Sequence, residues 1–205
     1  GQQLVVGGFG KASSFDLAAG EPRRQFAHET AASGLAFTTK GDVLVTNSEK
    51  SVKLWAFATG REIATLPYSG DIPLRELAVN RSGKLVATGT DGSFVHVWDV
   101  AARKQLRQFK MDRGALIECL GFSPNDKTLA VGTDAGELLL LDAGGGKELL
   151  KWDADVSHTL AYSPDGSLLA SAGMTTDNAG QVQLWKVAAP TPAPNQPAKP
   201  IELAA

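Results

Sequence analysis

SVKLW (51–55), FVHVW (94–98), ELLLL (137–141) and QVQLW (181–185) are four versions of one segment. Their last residues, Trp55, Trp98, Leu141 and Trp185, stand 43, 43 and 44 positions apart, and Phe15 fills the same place 40 residues before Trp55. Self-similarity at such a period marks an array in which each unit is one supersecondary element. Everything else in the chain can be placed relative to this segment.

A second element recurs in step. LAF (35–37), LAV (77–79), LGF (120–122) and LAY (160–162) each read large, small, large. Alternate residues of a strand face opposite ways, so one face carries bulk and the other almost none. That suits an inner strand crowded near an axis. A turn follows each time: TTKGD (38–42), NRSGK (80–84), SPNDK (123–127) and SPDGS (163–167). Pro presets the backbone of such a corner, and Gly or Asp supplies its flexible position. Next comes an apolar strand: VLVT (43–46), LVAT (85–88), TLAV (128–131) or LLAS (168–171). Beyond the Trp position, REIATL (61–66), KQLRQF (104–109) and KELLKW (147–152) mix polar and apolar residues like outer strands with one wet face. Each unit is therefore four short strands, and the expected fold class is all-β.

Repetition of this kind resembles the WD40 β-propeller family. SPDGSLLAS (163–171) and DGSFVHVWD (91–99) are similar to its signature, and the resemblance runs from residue 3 to about residue 187. With strands lettered a to d from the axis outward, it implies b, c and d at 4–7, 13–17 and 22–27. Complete blades follow at 33–66, 74–109 and 116–152, and a last blade of a, b and c ends at Trp185. The expectation is about five blades, three complete and two partial, of roughly seven. In such rings an N-terminal segment usually supplies strand d of the last blade. The reading is therefore a chain truncated at its N-terminus, with further blades of the same protein covering the open face; a closed five-bladed ring is the rival. Residues 1–187 are the propeller portion. Residues 188–205, with five prolines between 190 and 200, read as a tail or linker.

Bulk properties exclude several classes. The net charge is −2 and the isoelectric point about 5.9, so no broad positive field suits a nucleic-acid partner. No stretch approaches the ~20 apolar residues of a membrane span. Cys119 is the single cysteine, which rules out an internal disulfide and CxxC-type metal ligation. His28, His96 and His158 are scattered over different units, so neither a metal nor a cofactor is expected. Gly144, Gly145 and Gly146 join two strands rather than opening a helix, which argues against a phosphate cradle. Ser123-Pro124 and Ser163-Pro164 belong to the repeated turn. The expected compartment is the cytoplasm, or the periplasm if a leader precedes this segment.

The resemblance also implies roles for residues. Blades of the family hold a buried set of His, Ser or Thr, Asp and Trp. Here it maps onto His28, Thr46, Glu49 and Trp55, with Glu replacing Asp; onto Thr88, Asp91 and Trp98; and onto Ser171, Asp177 and Trp185. The fourth blade has Thr133 and Asp134 but Leu141 in the Trp position. Such degenerate repeats are similar to bacterial members. The d–a and b–c loops, which form the family's usual binding face, carry Glu29, Glu49, Asp71, Asp91, Asp112, Asp134, Asp153, Asp155 and Asp177 against Lys50 and Arg113. The implied function is a non-catalytic scaffold for a protein or peptide, with a basic partner favoured by this charge. Tyr68, Asp71, Met111, Asp112, Arg113 and Asp155 are the candidate contacts. Two alternatives stay open. Residues 138–152 resemble repeats of quinone-cofactor dehydrogenases, and the array also fits a C-terminal sensor or docking domain of a larger bacterial kinase, protease or cytochrome fusion.

Overall fold

A computed structural model describes residues 2–111, 114–154, 156–175 and 179–187. The Pro-rich segment from 188 onward lies outside them. Among the described residues there is no α-helix, and eighteen strands form five antiparallel sheets. The first sheet holds β1 (Gln3–Gly8), β2 (Lys11–Asp16) and β3 (Pro22–Ala27). Three four-stranded sheets follow: β4 (Gly34–Phe37) to β7 (Arg61–Pro67) with β5 (Val43–Ser48) and β6 (Ser51–Ala56) between; β8 (Leu74–Val79), β9 (Leu85–Thr90), β10 (Phe94–Asp99) and β11 (Lys104–Lys110); then β12 (Ile117–Phe122), β13 (Thr128–Thr133), β14 (Glu137–Asp142) and β15 (Glu148–Asp153). The last contains β16 (Val156–Tyr162), β17 (Leu168–Met174) and β18 (Gly180–Lys186). Strand order within every sheet equals chain order. The first strands β4, β8, β12 and β16 pack against one another, so each sheet is a blade with its first strand innermost.

The cores lie between blades rather than within them. Val45, Val52, Leu54 and Leu66 of one sheet close on Leu74, Val86 and Trp98 of the next. Val95 and Val97 then meet Leu129, Val131, Leu139 and Leu141. Leu138, Leu140 and Trp152 meet Leu169 and Trp185, while Ala12 and Phe26 meet Leu44 and Trp55. Each middle blade is thus buried on both faces, which explains near-continuous apolar runs such as LLLL at 138–141. In the four sheets that follow another, the residue of the Trp position faces the preceding blade. A one-residue register shift falls beside it in each of the four sheets that have an outer strand, between Ser14 and Phe15, Leu54 and Trp55, Val97 and Trp98, and Leu140 and Leu141. Such bulges re-aim a side chain, and here they do so at the same place in every repeat.

Turn chemistry follows the sequence closely. Gly41, Gly83 and Gly166 take φ of 71°, 69° and 75° in the turns between first and second strands. The third turn has no glycine at that place, and Asp126 adopts φ 61° instead. Asp is among the residues that tolerate this left-handed region. Its carboxylate also accepts from the Arg81 and Ser82 amides at 2.7 and 2.9 Å, tying two neighbouring turns together.

Candidate interaction face

The turns between second and third strands, and the loops between blades, open at the same end of the array. Glu29, Glu49, Asp71, Asp134 and Asp153 are exposed there. The cations beside them are already engaged. Lys50 donates through Nζ to the Gly70 and Asp71 carbonyls at 2.7 and 3.4 Å. Arg75 donates through Nε to Asp91 at 2.8 Å. Asp134 accepts the Leu116 amide at 2.7 Å, which is a turn-stabilising role, but its charge remains exposed. The face therefore carries an excess of negative charge among the described residues.

At the inner edge of this face the first strands bulge again. Pairing shifts between Leu74 and Leu77, between Ile117 and Cys119, and between Ser157 and Thr159. The residues inside those shifts include Glu76, Glu118 and His158. His158 Nδ1 lies 3.1 Å from Glu118 Oε2 across two blades. Burial, reinforced by the Glu118 charge, lifts the Glu76 carboxyl from 4.5 to about 7. Cys119 directly follows Glu118 in the chain; burial first, then Glu76, pushes its thiol up to about 12, so it stays an unreactive thiol. No motif announced this cluster. Its one sequence signal was position: Glu76 directly precedes Leu77 of its repeat triplet, while Glu118 and His158 stand two before Leu120 and Leu160.

Glu76 gives a pH prediction. Its folded-state value lies above its ordinary one, so the folded protein holds this proton more tightly than the unfolded chain. The contribution is complete below pH 4.5 and erodes as pH rises through about 7. Glu76→Gln, which stays neutral, is expected to raise the melting temperature at pH 8 and leave it unchanged at pH 4. Thermal scans at the two pH values check this.

The residues singled out from sequence fall into three groups. Tyr68 and Asp71 lie on the loop face; the Tyr68 ring sits edge-on to His96 at 5.1 Å, and Asp71 is exposed. Met111 is a correction. It is 5 % exposed and packs in the core between β10 and β14, because its amide still bonds the Ser93 carbonyl at 2.7 Å and so keeps its side chain on the same strand face as Phe109. Asp112, Arg113, Asp155 and Asp177 lie outside the described residues.

Of the His, Thr or Ser, acid and Trp positions, Thr46 is the hub of the best-formed set. It accepts from Trp55 Nε1 at 2.8 Å and meets His28 Nε2 at 2.6 Å. Burial lowers the His28 imidazole to about 4, so it is neutral at ordinary pH. Glu49 takes no side-chain part among the described contacts, and His28 Nδ1 is buried without a partner. Trp98 donates to Thr88 at 3.1 Å and Trp185 to Ser171 at 2.9 Å. Asp91 pairs with Arg75 rather than with a histidine. In the blade that has Leu141 the place of Thr88 is taken by Val131, and Thr133 accepts the Glu137 amide at 3.2 Å just as Thr90 accepts that of Phe94 one blade earlier. The segment 138–152 forms a plain hairpin of β14 and β15, with Asp142 bonding the Gly145 amide in the turn.

Blades of four antiparallel strands, stacked face to face with a tryptophan turned onto the preceding blade, define a WD40-type β-propeller array. Residues 20–56 and 60–99 match the family described as "WD domain, G-beta repeat". The chain is a WD40-repeat protein. It is 30 % identical over 147 residues to small ribosomal subunit protein RACK1y of Oryza sativa subsp. japonica, covering 68 % of this chain and 42 % of that one. It is 25 % identical to apoptotic protease-activating factor 1 of Rattus norvegicus over 162 residues, covering 78 % of this chain and 12 % of that one. A guanine nucleotide-binding protein subunit beta-like protein of Encephalitozoon cuniculi is 25 % identical over 109 residues, 53 % of this chain and 32 % of that one. The chain thus spans less than half the length of each of these relatives. Among the described residues no helix is long and apolar enough to cross a membrane, and no group of His, Cys, Asp and Glu could hold a metal ion.

Proposed function

We propose that this chain is part of a non-catalytic platform that holds a protein partner on its loop face, and that the segment held there is basic. One observation carries the reading: the exposed acids of that face are in excess, and the neighbouring cations Lys50 and Arg75 are already bound to the chain itself. Glu118 extends the same negative field to the inner edge. A rigid surface with charge of one sign attracts its complement and rejects its like, with effects on association rate and partner choice. Two of the relatives bear names that denote subunits of larger assemblies, which supports a docking role.

The test is binding of a fluorescein-labelled peptide of alternating Lys and Ser to the intact protein, read by anisotropy. Asp71→Asn, Asp153→Asn and Glu118→Gln together are expected to weaken capture about tenfold and to flatten its salt dependence. An affinity and salt slope unchanged from the parent would overturn the reading.

A further inference from the structure

The Trp position is filled by indole at three of the four seams between blades that hold such a residue in their core. There the facing outer-strand residue is sealed: Phe26 against Trp55, Leu66 against Trp98 and Trp152 against Trp185, at 0, 0 and 1 % exposure. Indole rings also meet aromatic partners directly, Phe26 with Trp55 at 5.6 Å and Trp152 with Trp185 at 5.4 Å between centroids. At the seam between β11 and β14 the position is Leu141. Its outer-strand counterpart, Phe109, is only partly buried. A groove of about 340 Å³ opens at this seam, walled by Phe109, Met111, Leu139 and Leu141, with Lys110 and Glu148 at its rim.

Gly146 keeps this groove's outline. It takes φ 71°, and a Cβ there would collide with the Phe109 ring. The turn after β14 therefore lies directly on Phe109, and the room left by the smaller Leu141 is not refilled by the chain. Beside the groove runs β11, the outer strand of its sheet, with a free hydrogen-bonding edge. Lys104, Arg107 and Lys110 are exposed along it, its sequence KQLRQFK contains no acid, and none of the three is in an ion pair among the described residues. Cations on an edge strand repel another basic edge. The same charge admits an acidic one, and main-chain pairing with side-chain insertion is an established mode of peptide recognition.

We propose that this seam binds an extended acidic segment of a partner, which pairs with the free edge of β11 and inserts one aromatic side chain where the repeat elsewhere places its own tryptophan. The site is distinct in place and in charge from the loop face.

The probe is a labelled peptide with a single Phe flanked on both sides by Asp and Glu, titrated against the intact protein. Saturable binding that weakens with salt is expected. Replacing the peptide's Phe by Ala is expected to cost at least about tenfold, as is Arg107→Glu with Lys110→Glu in the protein. Leu141→Trp refills the groove, so it is expected to abolish binding while the melting temperature holds or rises. Absence of binding by the parent overturns the proposal, as does binding indifferent to the peptide's Phe or to the charge reversal. Unchanged binding by a folded Leu141→Trp variant does so too. If that variant fails to fold, the peptide exchange and the surface reversal decide alone. A basic peptide that still binds the loop face under these changes leaves the proposed function standing whatever happens at the seam.

Discussion

Trp98→Ala is expected to cost about 4 kcal/mol, read as a shift in the denaturant midpoint at constant slope. Trp98 is 2 % exposed and fills the seam between the second and third blades with Val45, Val52 and Leu66. Its removal forfeits the transfer energy of a large ring and leaves a cavity that two stacked sheets close only in part. It also removes the donor that reaches Thr88 at 3.1 Å, leaving a buried hydroxyl short of a bond. Trp98→Leu copies what the chain already has at position 141, and roughly half the cost of the alanine change is expected. If the leucine variant unfolds at the parent's midpoint, the Trp position is not what closes a seam, and the explanation given for the groove at Leu141 fails with it.

Thr46→Val is expected to cost about 2–3 kcal/mol, although it changes neither size nor shape. Thr46 Oγ1 is within hydrogen-bonding distance of His28 Nε2 and Trp55 Nε1, and all three residues are buried. A methyl in that place leaves two buried polar groups unsatisfied, whereas Thr46→Ser keeps the oxygen and should recover most of the loss. The imidazole adds a pH signature. His28 titrates near 4 in the folded protein and near 6.5 when exposed. As pH falls below 6.5 the unfolded chain takes up the proton first, so stability declines from there down to about 4 and then levels. Unfolding midpoints measured across that window should show the decline in the parent and lose it in His28→Phe, which cannot titrate.

Much of this architecture was legible because its signals are local. Strands expected at 13–17 and 22–27 are found at Lys11–Asp16 and Pro22–Ala27, and the last repeat ends its third strand at Lys186. The period, the Gly or Asp corner and the Trp position are all read within one repeat. What escaped depends on two repeats meeting. Met111 looked like a loop residue because it follows an outer strand, yet it is core, since the neighbouring blade supplies β14 to cover it. Glu76, Glu118 and His158 come together only when three inner strands lie side by side and bulge alike. Glu137 reads as an ordinary polar strand start; it is 0 % exposed, with Lys151 Nζ 2.8 Å away on the adjacent strand. Leu141 was visible as a departure from the repeat, but a missing ring says nothing about a groove until the opposite wall, Phe109, is in place.

The placement of every core between sheets has a consequence for how such a chain can be altered by recombination. A four-stranded sheet lifted out whole would carry two half-finished interiors and leave two more behind. The transferable unit is the seam: the facing halves of two consecutive sheets, together with the tryptophan of one and the outer strand of the other. Because the tryptophan stands on the third strand, a chimaera cut between the second and third strands would part it from the outer strand it packs on, whereas exchange of two or more consecutive whole sheets should keep at least one seam intact.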